Sequence, residues 1–285
     1  MIVVRRVDEL RAVIRAARVR GERIAFVPTM GALHDGHLAL MQRARKDGEC
    51  VVVSLFVNPA QFTEAVDLDG YPRDEARDVR LLESVGVHVL FAPAVDEVYP
   101  GGFATTVEVA ELSVPLEGVA RGPQHFRGVA TVVTKLLNMV QPDAAFFGQK
   151  DAQQALIIQR LVRDLDLPVR IEICPTVREA DGLAMSSRNA LLDSAARQKA
   201  VTLWKALSAV EHAVARGETH TAIALAAGSI LLKAEGIEPE YFAAVDAATL
   251  LPVTSFTGTT LIAIAARVGG VRLIDNVLIH REGAA

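Results

Sequence analysis

A chain of 285 residues with 51% hydrophobic content can bury a large core and lies near the length at which one core splits into two. Its 30 basic and 34 acidic residues leave a net charge of −4, which excludes broad, sequence-blind attraction to nucleic acid. With only Cys50 and Cys174, each inside an apolar run expected to bury it, neither a disulfide framework nor a Cys-rich metal centre can be built.

The N-terminus, Met1 to Arg6, leads into a charged helical pattern near 8–20 without the apolar stretch of a secretory signal. No apolar run approaches the length of a membrane span, so the expectation is a soluble cytoplasmic protein. A strand-like run, Ile24-Ala25-Phe26-Val27, then hands over to Pro28-Thr29-Met30-Gly31-Ala32-Leu33-His34-Asp35-Gly36-His37 and a helical pattern over 37–47. A strand that ends in a tight turn before a helix is where open α/β sheets bind anions, because the first helical N–H groups lack intrahelical partners. His34 and His37, three apart, can face the same side and each donate to a phosphoryl oxygen. A solvated turn is the competing reading, and zinc is a weaker one because no third ligand stands nearby.

The run 51–57 is apolar nearly throughout, as a strand covered on both faces should be, and it leads into Asn58-Pro59-Ala60-Gln61-Phe62. That segment would put two amides at the carboxyl edge of the sheet. Alone it reads as a polar turn, and only its position beside His34 promotes it. Further helical patterns near 74–85, 128–140 and 151–165 alternate with strand-like runs at 87–91, 144–147 and 169–174. This alternation predicts an α/β fold, a Rossmann-like, doubly wound parallel sheet with right-handed crossovers. At Gly148-Gln149-Lys150-Asp151 the third junction offers an ammonium for a nucleotide phosphate, with Asp151 able to cap the next helix and Gln154 able to face a ligand.

Beyond residue 176 the pattern changes to two Ala-rich helices, 194–216 and 221–235, and strands at 240–246, 260–268 and 271–279. These predict a smaller α+β C-terminal domain, 177–285, after a first domain, 1–176. At the boundary Met185-Ser186-Ser187-Arg188-Asn189 supplies two hydroxyls and a guanidinium suited to several phosphate oxygens.

The succession PTMGALHDGH, VNPAQF, HFRGVATVV, FFGQKD and GLAMSSRN resembles the pantothenate synthetases (pantoate–β-alanine ligases), members of the nucleotidylyltransferase superfamily with a HIGH-type histidine signature. The resemblance implies joining D-pantoate to β-alanine with Mg²⁺ and ATP through a pantoyl adenylate, with release of pyrophosphate and AMP. By that resemblance His34, His37, Lys150, Ser186, Ser187 and Arg188 are catalytic. ATP would lie against Pro28, Thr29, Met30, His34, His37, Gly148, Gln149, Lys150, Asp151, Val177, Met185 and the Ser-Ser-Arg segment. Pantoate would lie against Gln61, Gln154, Met30, Phe62, Asn58 and Arg127, with Asp78 as the magnesium ligand. The resemblance further implies a homodimer, and either the segment 70–78 or the second domain as a lid over the intermediate. Two departures stand out: Arg121 to Arg127 is one residue longer than the family's pattern, and Asp74 follows YPR where Thr is common, at a helix cap. The competing readings are a nucleotidyltransferase of the same superfamily and a catalytically silent nucleotide-binding regulator.

Overall fold

A computed structural model of the chain describes residues 1–62 and 68–281; the last four residues of the predicted second domain lie outside them. A first compact unit comprises Met1–Gly148 with Gln153–Pro175, and a second comprises Gln149–Ala152 with the chain from Thr176 onward.

In the first unit, strands β1 (Ile2–Val4), β2 (Ile24–Thr29), β3 (Cys50–Leu55), β4 (Val89–Phe91), β5 (Ala144–Gly148) and β6 (Arg170–Cys174) form one sheet in the order β1-β4-β3-β2-β5-β6. Every pairing is parallel. Helices α1 (Val7–Val19), α2 (Asp35–Asp47), α3 (Glu75–Ser84), α4 (Val95–Val98), α5 (Glu117–Arg121), α6 (Pro123–Val140) and α7 (Ala152–Asp164) connect them. Side chains alternate across the pleat, so Phe26 and Val52 join a core with α1, α6 and α7, while Val27 and Val53 join another with α2 and α3. Burial on both faces explains why the central strands read as continuous apolar runs. The chain builds the sheet outward from β2 through β3 to β4, then returns to place β5 on the other side of β2. That reversal puts a crevice at the carboxyl ends of β2 and β5.

In the second unit, β7 (Pro239–Asp246), β8 (Gly258–Val268) and β9 (Val271–Arg281) form an antiparallel sheet. Helices α8 (Ser194–Ala215) and α9 (Thr221–Ala234) pack into one core with it through Leu203, Leu207, Leu232, Ile262 and Ile264.

Several details differ from the sequence expectations. The short edge strand β1 and the one-turn helices α4 and α5 carry too little periodicity to be predicted. Helix α6 starts at Pro123, five residues before the expected 128, because Pro at the first position suits a helix start. Cys50 is buried as expected, but Cys174 is only half-buried at the end of edge strand β6. Among the described residues no helix is long and apolar enough to cross a membrane.

Candidate active site

The segment after β2 is held in an unusual backbone conformation, with Gly31 at φ 88° and Ala32 at φ 52°. Ala32 adopts a left-handed geometry that its side chain disfavours, so something must hold it there. Asp78 does. Its carboxylate, 2% exposed, accepts the Ala32 and Leu33 N–H groups, both at 2.9 Å, while Arg77 donates to the Leu33 carbonyl at 2.9 Å. A Cβ on residue 31 would sit 3.0 Å from the Asp78 carboxylate, so glycine serves both the dihedral and the close approach.

This arrangement bears on the expected role of Asp78 as a magnesium ligand. The carboxylate is buried and both oxygens are engaged by the loop's amides, so it does not fit a metal that keeps several waters. Among the described residues no group of three or more His, Cys, Asp or Glu side chains is placed to hold a metal ion. Asp78 also anchors the end of the 70–78 segment, and Asp74 caps α3 by accepting the Arg77 N–H at 2.9 Å.

The braced loop delivers two histidines. His34 is the N-cap of α2, and its Nδ1 accepts the Gly36 N–H at 3.2 Å; His37 Nδ1 accepts the His34 N–H at 3.4 Å. A nitrogen that accepts from a backbone amide carries no proton, so the proton of each neutral ring sits on Nε2. The rings lie 4.1 Å apart between centroids, which makes them a pair of N–H donors beside the N-terminus of α2. Thr29, among the expected ATP contacts, has a structural bond through its side chain. Its buried hydroxyl donates to the Ser54 carbonyl at 2.8 Å and ties β2 to β3.

The turn after β3 is fastened from several directions. Asn58, 1% exposed, donates from Nδ2 to the Gly128 carbonyl at 3.1 Å and to Gln61 Oε1 at 3.0 Å. His125 Nδ1 meets the Gln61 carbonyl at 2.8 Å, and Gln61 Nε2 reaches Met30 Sδ at 2.9 Å. Met30, Asn58 and Gln61 are therefore brought together, and the Phe62 ring packs edge-on against Tyr71 at 5.9 Å. Helix α6 comes so close that a Cβ on Gly128 would lie 2.2 Å from the Ala60 carbonyl oxygen. Gly128→Ala is accordingly expected to displace the turn and cost about 1–3 kcal/mol of stability, read by urea denaturation.

Two expected pantoate residues stand apart from that network. Arg127 reaches Glu108 at 3.3 Å, and Gln154 lies half-exposed in the first turn of α7. Its neighbour Gln153 is the structural one, accepting the Glu117 N–H and donating to the Leu112 and Pro115 carbonyls.

In the second unit, Met185 N–H donates to the Val177 carbonyl at 3.0 Å, which joins the two ends of a small loop. Arg178 grips Asp275 through two bonds of 2.6 and 3.0 Å and stacks on Trp204 at 3.7 Å. Burial raises the Asp275 carboxyl above the ordinary range even though Arg178 pulls it down. Asn189 bonds Glu179 and the Ala184 carbonyl, and Ser186 Oγ accepts the Arg188 N–H at 3.2 Å, so Ser186, Ser187 and Arg188 sit on a braced segment. Lys150 pairs with Asp151 at 3.6 Å. The carbonyls of Gln149 and Lys150 both accept from Asn276 Nδ2 at 2.9 Å, and the Gln149 amide reaches Asn276 Oδ1 at 3.3 Å.

Sequence reasoning did not single out Asp275 and Asn276. Their signal is a polar pair interrupting the apolar Leu273-Ile274 and Val277-Leu278 of β9. Chemically, the first unit offers neutral N–H donors and oriented amides, and the second offers an ammonium, a guanidinium and two hydroxyls. Donors of either kind suit phosphoryl oxygens on which charge develops.

Comparison with known proteins gives a consistent result. The Pantoate-beta-alanine ligase family matches residues 2–278. A pantothenate synthetase of Pelotomaculum thermopropionicum is 48% identical over 280 residues, covering 98% of this chain and 99% of that protein. The crystal structure of pantothenate synthetase from Thermus thermophilus superimposes with a TM-score of 0.92 at 48% identity, covering 97% of this chain and 99% of that one. A pantoate-beta-alanine ligase from Francisella tularensis, complexed with beta-gamma ATP and beta-alanine, gives a TM-score of 0.79 at 33% identity, covering 98% and 97%.

Proposed function

The chain belongs to the pantoate-beta-alanine ligase family, and on that premise we propose how its residues divide the reaction. The protein is an ATP-dependent ligase that joins pantoate to β-alanine. The nucleotidyltransferase and silent-regulator readings are not favoured by relatives that are ligases over their whole length.

In our reading the reaction has two steps. The pantoate carboxylate attacks the α-phosphorus of ATP; an O–P bond forms, the bond to pyrophosphate breaks, and pantoyl adenylate results. The β-alanine amine then attacks the acyl carbon, loses a proton, and AMP leaves. A carboxylate is a poor acyl donor, and AMP supplies the leaving group it lacks.

The first domain, 1–176, would supply the reacting centre. The observation that carries this assignment is the histidine pair whose Nδ1 atoms both accept backbone amides, which puts the proton of each neutral ring on Nε2, a donor type suited to phosphoryl oxygens. His37 would serve the α-phosphate, with His34 beside it. Gln61 and Gln154 would bind the hydroxyl and carboxylate groups of pantoate, bordered by Met30 and Phe62, with Asn58 and Arg127 as further site residues. The adenosine would use backbone groups at Pro28, Thr29, Gly148, Gln149 and Val177, with Asp151 on the ribose.

The second domain, 177–285, would contribute Met185, Ser186, Ser187 and Arg188, and Lys150 would join them in holding the phosphates. As a lid it would keep water from the adenylate. Magnesium enters this reading as Mg·ATP, a substrate whose phosphate oxygens and waters supply the metal's ligands, since the Asp78 carboxylate is already engaged. The same reading makes the enzyme a cytoplasmic homodimer that acts on small molecules.

The test is release of pyrophosphate and AMP from Mg·ATP. Pyrophosphate that appears only on adding D-pantoate, with steady AMP release only when β-alanine follows, supports the two-step ligase. Release that ignores pantoate rejects it.

A further inference from the structure

Asn58 has an orientation that two backbone groups dictate. The Gly128 carbonyl can only accept, so Nδ2 faces it; the Ala60 N–H can only donate, so Oδ1 faces that side at 3.2 Å. The second proton of Nδ2 then points at Gln61 Oε1, 3.0 Å away, which turns the Gln61 amino group outward. There it rests against the Met30 thioether, a weak acceptor that a substrate oxygen would replace at little cost. Gln61 is thereby set to donate rather than accept.

One contact to this relay comes from a residue that no functional motif contains. The Tyr99 hydroxyl donates to Asn58 Oδ1 at 2.8 Å, shorter than the Ala60 bond to the same atom. Its ring is wedged between Phe56 and Phe103, at 6.2 and 5.1 Å between centroids, so the hydroxyl has a fixed place. Burial pushes its pKa up to about 12, and the proton it donates stays on across the neutral range.

We propose that Tyr99 is a positioning residue for pantoate recognition, acting through Asn58 to hold the Gln61 amino group toward an acceptor oxygen of the substrate. The inference rests on the reading that Gln61 contacts pantoate. Tyr99 touches no reacting atom. Its loss should weaken one substrate and leave the chemistry and the other substrates alone.

The experiment is a double-mutant cycle with Tyr99→Phe and Gln61→Ala, measuring KM for pantoate, ATP and β-alanine together with kcat and the melting temperature. Tyr99→Phe keeps the wedged ring and removes one hydrogen bond. It is expected to raise the pantoate KM about twofold to tenfold, with ATP and β-alanine KM unchanged. In a Gln61→Ala background the same change should add nothing, because the relay has lost its end point. An effect of Tyr99→Phe that persists undiminished in that background, or that raises the ATP KM in parallel, overturns the inference while leaving pantoate at Gln61. So does a pantoate KM that Tyr99→Phe leaves unchanged while Gln61→Ala raises it. If Gln61→Ala itself leaves the pantoate KM unchanged, the substrate placement fails and the inference falls with it.

Discussion

Replacing His37 with alanine is expected to lower pantoate-dependent pyrophosphate release about 100- to 1,000-fold, the scale of losing one donor aimed at a developing oxyanion. Beside this proposed role the residue has a structural one, and the experiment has to separate them. Its Nδ1 accepts the His34 amide and completes a capping box, so alanine also removes a cap contact worth about 1 kcal/mol. His37→Gln is the informative companion, because glutamine at the third helical position can restore the cap acceptor without an imidazole. The expected result is a glutamine variant that melts near the parent temperature and remains as impaired as alanine in pyrophosphate release. Recovery of activity by glutamine would reduce His37 to a cap.

Asp78→Asn should be nearly as damaging for a different reason. An amide in that position cannot accept at both oxygens, so one of the Ala32 and Leu33 N–H groups is left facing an amino group. The expected cost is about 2–4 kcal/mol of stability in protein free of ATP and metal, read by urea denaturation. Activity should fall with it, since the loop that presents His34 and His37 would relax from its left-handed turn at Ala32. The magnesium concentration for half-maximal activity should stay where it is in the parent. A variant as stable as the parent, with a steeply raised magnesium requirement, would return Asp78 to the metal.

The central sheet was readable in advance because strands buried on both faces leave uninterrupted apolar runs, as at 24–27 and 51–53. Short elements were not. Three residues of β1 next to β4, or four of α4, contain no full period from which a pattern can be read. The motif residues could be named from sequence, whereas their orientation could not. Asp78 follows a charged stretch and looks available to a cation, yet it is its inward rotamer, meeting amides 45 and 46 positions back, that decides its role. Asn58 was recognised without its partners, because Gly128 and Tyr99 lie 70 and 41 residues away. Asn276 went unremarked for the same reason: its partners at 149 and 150 are brought to it only by the fold.

The grip of Asn276 on Gln149 and Lys150 bears on how this chain could be cut and recombined. Two of its bonds hold main-chain carbonyls and so read the course of the backbone whichever side chain stands at 150, while the Gln149 amide adds one side-chain contact. A gene fragment ending at residue 175 would encode every strand of the parallel sheet and still strand the lysine turn, whose fastening is translated 126 residues after Lys150. A chimera that borrows its last hundred residues from a relative would need an amide donor at the Asn276 position more than it would need a matching sequence around Lys150.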